Sequence, residues 1–128
     1  MSFNAKNTRK QGEIGLGAAI AFFMARGDVV CVPLSEGQDF DLVVEADGVL
    51  KRVQVKTTSY KDYGNIFQVN LAVRGGNQSY STKKFFNNKS VDYVFILTSY
   101  GDKYLIPALE IQAKNCINLG DKYQKFRV

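Results

Sequence analysis

Four side chains in this sequence are of types that an apolar helix and two β-branched strands do not need for burial. Glu13 lies in Gly12-Glu13-Ile14-Gly15, Asp41 in Asp39-Phe40-Asp41-Leu42-Val43-Val44, and Gln54 and Lys56 in Val53-Gln54-Val55-Lys56. An acid, an amide oxygen and an ammonium on neighbouring strands form a set suited to a hard divalent ion beside a phosphate. The ion contacts a phosphate oxygen and lowers the pKa of a bound water. On this reading Asp41, the Gln54 side-chain oxygen and the Val55 carbonyl hold the ion. Glu13 adds a contact through water or a second ion, and Lys56 orients the attacking water and offsets the charge that develops at phosphorus. Magnesium fits this oxygen-rich set, with manganese as its substitute. Taken one at a time, the residues have plain structural explanations: a solvated lysine, a strand-face glutamine, a glutamate favoured near a helix N-terminus. The combination is what points to phosphodiester hydrolysis. Asp39 is a rival for the acidic role, but the spacing to Gln54 and the Leu-Val-Val that follows favour Asp41.

Composition narrows the chemistry further. The chain has no histidine, which removes Ser-His-Asp and Cys-His catalysis, histidine-based nucleases and histidine-liganded zinc. Cys31 and Cys116 are too few for a structural zinc site and read as reduced core thiols. The 128 residues, 45% apolar and 12% aromatic, suffice for one domain with one sizeable core. A balance of 17 Lys+Arg against 12 Asp+Glu leaves a net charge of +5, which favours a polyanionic partner. No apolar run reaches the roughly 18–20 residues of a membrane span, and the polar N-terminus lacks the apolar core of a signal peptide, so an intracellular protein is expected.

The elements that must position these side chains can be read from pattern. Thr8-Arg9-Lys10-Gln11 has the form of a capping box, and a helix should follow to about Arg26, stopped by Gly27. Glu13, Gly17, Ile20 and Met24 recur at helical spacing, which puts Glu13 on or beside the apolar stripe. Gly12, Gly15 and Gly17 suggest close approach to another backbone or a ligand. Strands are expected over 28–34, 40–45 and 49–58, the last two joined by a tight Asp47-Gly48 turn. A further extended segment follows over 66–73, then a loop at Gly75–Ser79 and a short basic helix over 81–89. Val91–Thr98 is the clearest buried strand, paired with 103–106. A short helix over 108–114 and a terminal strand over 123–128 complete the chain. Alternation places Gln54 and Lys56 on one strand face, roughly 6.5–7 Å apart, and the hairpin register can bring Asp41 beside them.

Glu13, Asp41 with its Leu42-Val43, and Gln54-Val55-Lys56-Thr57-Thr58 resemble the motifs of the PD-(D/E)XK nuclease superfamily. Within it they resemble the branch of small proteins with glutamine at the acidic position of the third motif. That branch includes a cyanobacterial group I intron homing endonuclease; archaeal-type Holliday junction resolvases are more distant. Val91-Asp92-Tyr93-Val94-Phe95 and Tyr104-Leu105-Ile106-Pro107 extend the resemblance over nearly the whole chain. It implies a single α/β (α+β) domain with a restriction-endonuclease-like αβββαβ core. It also implies magnesium dependence, DNA cleavage by an oligomer, and an active site of Glu13, Asp41, Gln54 and Lys56. Phe40 stands where the family name has proline, and Gln54 replaces a carboxylate, leaving one fewer negative ligand.

Double-stranded or branched DNA is therefore the expected partner, bound by a homodimer or homotetramer. Lys51, Arg52, Lys61, Arg74, Lys83, Lys84 and Lys89 are candidates for phosphate contacts, with Tyr60, Tyr63 and Tyr80 among them. Arg74, Asn77 and Gln78 have side chains suited to reading base edges. Homing-type cleavage and four-way-junction resolution are the two leading versions of the activity. The alternative from another class is a nucleic-acid-binding module that kept the fold and lost turnover.

Overall fold

Asn7 starts the one α-helix among the described residues, which in this computed structural model are 3, 7–62, 64–74 and 83–128. Its Oδ1 accepts the Lys10 backbone N–H at 3.1 Å. The helix, α1, runs Thr8–Ala25 and ends at Arg26 and Gly27, whose φ of +92° suits glycine. The expected capping box is thus displaced by one residue. Thr8 is the first helical residue, because Asn7 offers an equally short side-chain acceptor one position earlier. Gln11 is buried on the helix face that meets the sheet, with Gly15, Ala18, Ala19 and Phe23.

Ten strands follow among the described residues: β1 (Val29–Cys31), β2 (Leu42–Ala46), β3 (Val49–Thr58), β4 (Lys61–Asp62), β5 (Ile66–Asn70), β6 (Val73–Arg74), β7 (Lys83–Lys84), β8 (Tyr93–Thr98), β9 (Lys103–Pro107) and β10 (Cys116–Asn118). The main sheet has the order β1-β2-β3-β8-β9. Its neighbours are antiparallel except β3 and β8, which run parallel. Asp47 and Gly48, both at positive φ (53° and 80°), make the two-residue β2–β3 turn with the twist that hairpins favour.

Strand alternation sorts β3 between two cores. Val53 and Val55 face α1 and pack with Leu42, Val44, Phe95, Leu97, Ala19 and Phe23. Gln54, Lys56 and Thr58 therefore face the opposite layer, built from β10-β5-β4 and the β6–β7 pair. That side holds the second core, including Val94, Ile96, Ile106, Phe67, Val69 and Leu71. Thr58 closes one end of the seam by donating its hydroxyl to the Gln68 carbonyl.

The mixed α+β class and the central hairpin agree with the sequence, whereas several peripheral elements differ. No helix occupies 83–89: Lys83–Lys84 pairs with Val73–Arg74, and Phe86 turns into the second core while Phe85 stays exposed. Burial of one phenylalanine and a two-residue ladder outweigh helical propensity there. The link from β3 to its parallel neighbour β8 is accordingly made by strands among the described residues. The segment 108–114 holds only a 3₁₀ turn at Ala108–Glu110, and the C-terminus forms a 3₁₀ helix at Asp121–Phe126 with a single bridge from Arg127 to Tyr104. Cys31 is exposed on the edge strand β1 and Cys116 is half-buried; both are free, so neither is the fully buried core thiol expected. The Gly75–Ser79 loop, Tyr63, Asn77, Gln78 and Tyr80 lie outside the described residues, as does the side chain of Arg74. Among the described residues no helix is long and apolar enough to cross a membrane.

Candidate active site

Asp41 lies just ahead of β2, where the chain leaves regular pairing. Its backbone N–H donates to the Val53 carbonyl, and its Oδ2 accepts the Val55 backbone N–H at 2.7 Å. The carboxylate is thereby fixed along β3 beside the strand that carries Gln54 and Lys56. One oxygen is used in this way, and the other accepts no hydrogen bond among the described residues. As a residue Asp41 is exposed, yet enough protein crowds the carboxyl group for desolvation to raise its pKa. The Val55 N–H and the Lys56 charge oppose that rise without cancelling it.

Lys56 is placed by its register opposite Ile96 on β8, and Gln54 opposite Val94; both partners are completely buried. An ammonium projecting among such neighbours loses hydration, so the pKa of Lys56 is lowered, with Asp41 pulling it partly back. Among the described residues no hydrogen bond or ion pair engages the Lys56 ammonium. The two perturbations run in opposite directions for one reason: each group is being held charged where burial disfavours charge. Perturbed pairs of this kind mark sites where chemistry is done.

Gln54 extends into a narrow crevice of about 20 Å³ between the main sheet and the second layer, lined also by Asp39, Leu71, Lys84, Phe86 and Ser90. Its Oε1 is buried and has no hydrogen-bond partner among the described residues. Asp39 forms an ion pair with Lys84 at 2.5 Å. The Lys84 hydrogen bond, with a further one from Ser90, keeps the Asp39 pKa below the usual aspartate range against the opposing effect of burial. The sequence offered Asp39 as a rival to Asp41; the structure gives the two acids different places. Asp39 is tied to β7, and Asp41 is tied to β3. Nothing in the local spacing signals the Asp39–Lys84 pair, whose members are 45 residues apart.

Glu13 does not join this group. It projects from the exposed side of α1 with 58% of its side chain accessible, and its ion-pair partners are Arg9 (4.0 Å) and Lys10 (3.5 Å). At about 100° per residue, Glu13 lies nearly opposite Gly15, which faces the sheet, so the expected place beside the apolar stripe is not the one it takes. Asp41, Gln54, the Val55 backbone and Lys56 are brought together; Glu13 stays on the far side of its helix.

The cations expected to meet phosphates are also sorted by the fold. Arg52 is occupied: its Nε contacts Asp92 at 3.3 Å and its Nη2 donates to the Lys89 carbonyl at 3.2 Å. Burial would raise the Asp92 pKa, but the Arg52 backbone and guanidinium bonds outweigh it and lower the value. Lys61 donates to the Tyr100 hydroxyl at 2.6 Å and lies 3.9 Å from that ring's centre. Lys84 is held by Asp39. Lys51, Lys83 and Lys89 have no ion-pair partner among the described residues.

Comparison with known proteins bears on the fold and the family. The fold is similar to that of the bacterial homing endonuclease I-Ssp6803I, with a TM-score of 0.79 and 24% sequence identity over 94% of this chain and 88% of that one. No curated protein matches the sequence. A model of the PD-(D/E)XK endonucleases matches residues 6–124, nearly the whole length. That match settles the family: the chain is a nuclease that belongs to the PD-(D/E)XK endonuclease family.

Proposed function

We propose that this protein is a divalent-metal-dependent DNA endonuclease that hydrolyses phosphodiester bonds in duplex DNA, in the manner of a homing enzyme. The observation that carries the reading is the convergence of Asp41, Gln54 and the desolvated Lys56 on one stretch of β3. Nucleases of this family generally use divalent ions, and the donors present fit one. They are a fixed carboxylate, the Gln54 amide oxygen and the Val55 carbonyl, all hard oxygen atoms that suit magnesium. Among the described residues no group of three or more His, Cys, Asp and Glu side chains could hold an ion, so Asp41 would act with amide and backbone oxygens and not within a carboxylate cluster. A bound ion would supply Lewis acidity toward the phosphate and a water of lowered pKa.

The protein's own groups then divide the work. Asp41 must be ionised to act as a ligand, and its bond from Val55 holds it in place before any ion arrives. Lys56 faces the charge that grows on the non-bridging oxygens as water adds to phosphorus and the bridging P–O bond breaks. Its lack of another partner leaves the ammonium free for that contact. The fold likeness to a homing endonuclease, together with the glutamine in the third motif, favours homing-type cleavage over other nuclease roles.

The test uses the full chain with magnesium and three DNAs: supercoiled plasmid, linear duplex and a synthetic four-way junction. Wild type should cut duplex DNA at a discrete site, and Asp41→Ala and Lys56→Ala should each lose about 10²-fold or more in rate. Symmetric nicks on the junction alone would replace the homing reading with junction resolution. DNA binding without cleavage, unchanged in both variants, would leave a non-catalytic binding module and overturn the nuclease assignment of these residues.

A further inference from the structure

Gln54 Oε1 is a buried acceptor that receives no hydrogen bond among the described residues, a state rare enough in folded proteins to require a cause. The crevice around it contains an acceptor as well as a cation: the Asp39 carboxylate, anchored by Lys84 and Ser90. An amide keeps its shape when its oxygen and nitrogen exchange places by a half-turn of the terminal side-chain torsion. After that half-turn Nε2 takes the buried place of Oε1, and Asp39, which lines the same crevice, is a carboxylate available there to accept from it. Asp39 is suited to this task and not to binding an ion itself, because Lys84 already neutralises it at 2.5 Å.

We propose that Asp39 is a positioning residue for the reaction: by accepting a hydrogen bond from Gln54 Nε2, it turns the Gln54 oxygen toward the ion-binding side of the site. The inference rests on the metal-dependent reading above. It also accounts for a feature peculiar to this third motif. A glutamate has two equivalent oxygens and needs no orienting partner, whereas a glutamine has one productive orientation and one unproductive one. A glutamine at position 54 therefore requires a residue such as Asp39, and a glutamate would not. Outer groups that orient a ligand in this way commonly contribute 10–100-fold to metal affinity.

Isothermal titration with magnesium alone, on wild type, Asp39→Ala, Gln54→Glu and the double variant, separates this role from a structural one. Each protein is first shown to be folded by its melting transition. Asp39→Ala should weaken magnesium binding about tenfold or more with Gln54 present. In the Gln54→Glu background the same change should cost less than about twofold, because loss of the Asp39 charge and any local loosening cancel in the cycle. Equal losses in the two backgrounds, or none in either, overturn the proposal. Should Asp39→Ala not fold, Lys84→Met, which frees Asp39 from its anchor, is expected to give the same pattern. A measurement on the wild type needs no variant. One Gln54 Nε2 proton should exchange slowly and shift when magnesium is added, and a freely exchanging, unshifted amide overturns the proposal. A wild type that neither binds magnesium nor cuts DNA fails as a metal nuclease altogether. Equal losses in a protein that does both remove only the role of Asp39.

Discussion

At the scale of single residues, the site holds two charged groups against the cost of burial, and that cost is measurable. Desolvation raises the pKa of Asp41 in the folded protein above its unfolded value. A carboxyl group shifted in that direction binds its proton more tightly when folded. Its stabilising contribution is therefore full below the unfolded pKa and is lost as pH rises through the higher folded value. Asp41→Asn, which cannot ionise but keeps an oxygen for the Val55 N–H, should then be more stable than wild type at neutral pH. The difference should shrink toward zero as the pH falls below the unfolded pKa. Urea unfolding of both proteins at neutral and acid pH checks this, and a stability gap independent of pH would show that ionisation of Asp41 is not its source. The same substitution should abolish cleavage, the usual exchange of stability for activity at such positions. Lys56 carries a parallel penalty with the opposite sign: its lowered pKa disfavours the charged form in the fold, so its cost is relieved as pH rises.

At the scale of elements, α1 and β3 meet at a contact that leaves no room. A Cβ on Gly15 would overlap Thr57 Cγ2 and lie 3.5 Å from Val55 Cγ1, on the strand whose other face carries Gln54 and Lys56. Gly15→Ala should therefore destabilise the protein by about 1–3 kcal/mol and reduce cleavage by displacing β3. Adding Thr57→Ser, which removes the methyl group, should restore much of both, as read by urea unfolding and plasmid cutting. Gly12 and Gly17 have open space around the same position, and alanine there should be tolerated. The helical glycines advertised close approach in the sequence, but which of the three made it depended on the helix phase, and that is set by packing against β3. The same limit governs the site. Asp41, Gln54 and Lys56 could be joined from sequence because one tight turn fixes their register. Glu13 could not be placed, because a helix rotated by a single residue moves a side chain through about 100°. The Asp39–Lys84 pair and the strand at Lys83–Lys84 were invisible for a related reason: both depend on partners that only the folded second layer supplies.

At the scale of the whole molecule, the net charge of +5 is not spread over equivalent cations. Arg52, Lys61 and Lys84 are engaged within the protein, whereas Lys51, Lys83 and Lys89 form no ion pair among the described residues, Lys51 being drawn to Asp92 only at longer range. Lys51 and Lys89 line, with Arg52, Asp92 and Leu109, an open depression of about 400 Å³ at the start of β3 and β8. The strand leads from there directly to Gln54 and Lys56, so a duplex whose scissile phosphate meets Lys56 would pass its neighbouring phosphates over this rim. Each lysine that displaces a condensed counterion contributes close to one unit to the slope of log affinity against log salt. Lys51→Ala and Lys89→Ala should each reduce that slope by about 1 while leaving thermal stability nearly unchanged. Arg52→Ala should behave differently, because its guanidinium is already committed to Asp92 and the Lys89 carbonyl. Its loss should cost about 0.5–1.5 kcal/mol of stability and change the slope less. Fluorescence-anisotropy titrations of a labelled duplex over a range of salt, with magnesium withheld to prevent cutting, measure all three. Unchanged slopes in both lysine variants would move the DNA path off this rim and onto another face of the molecule.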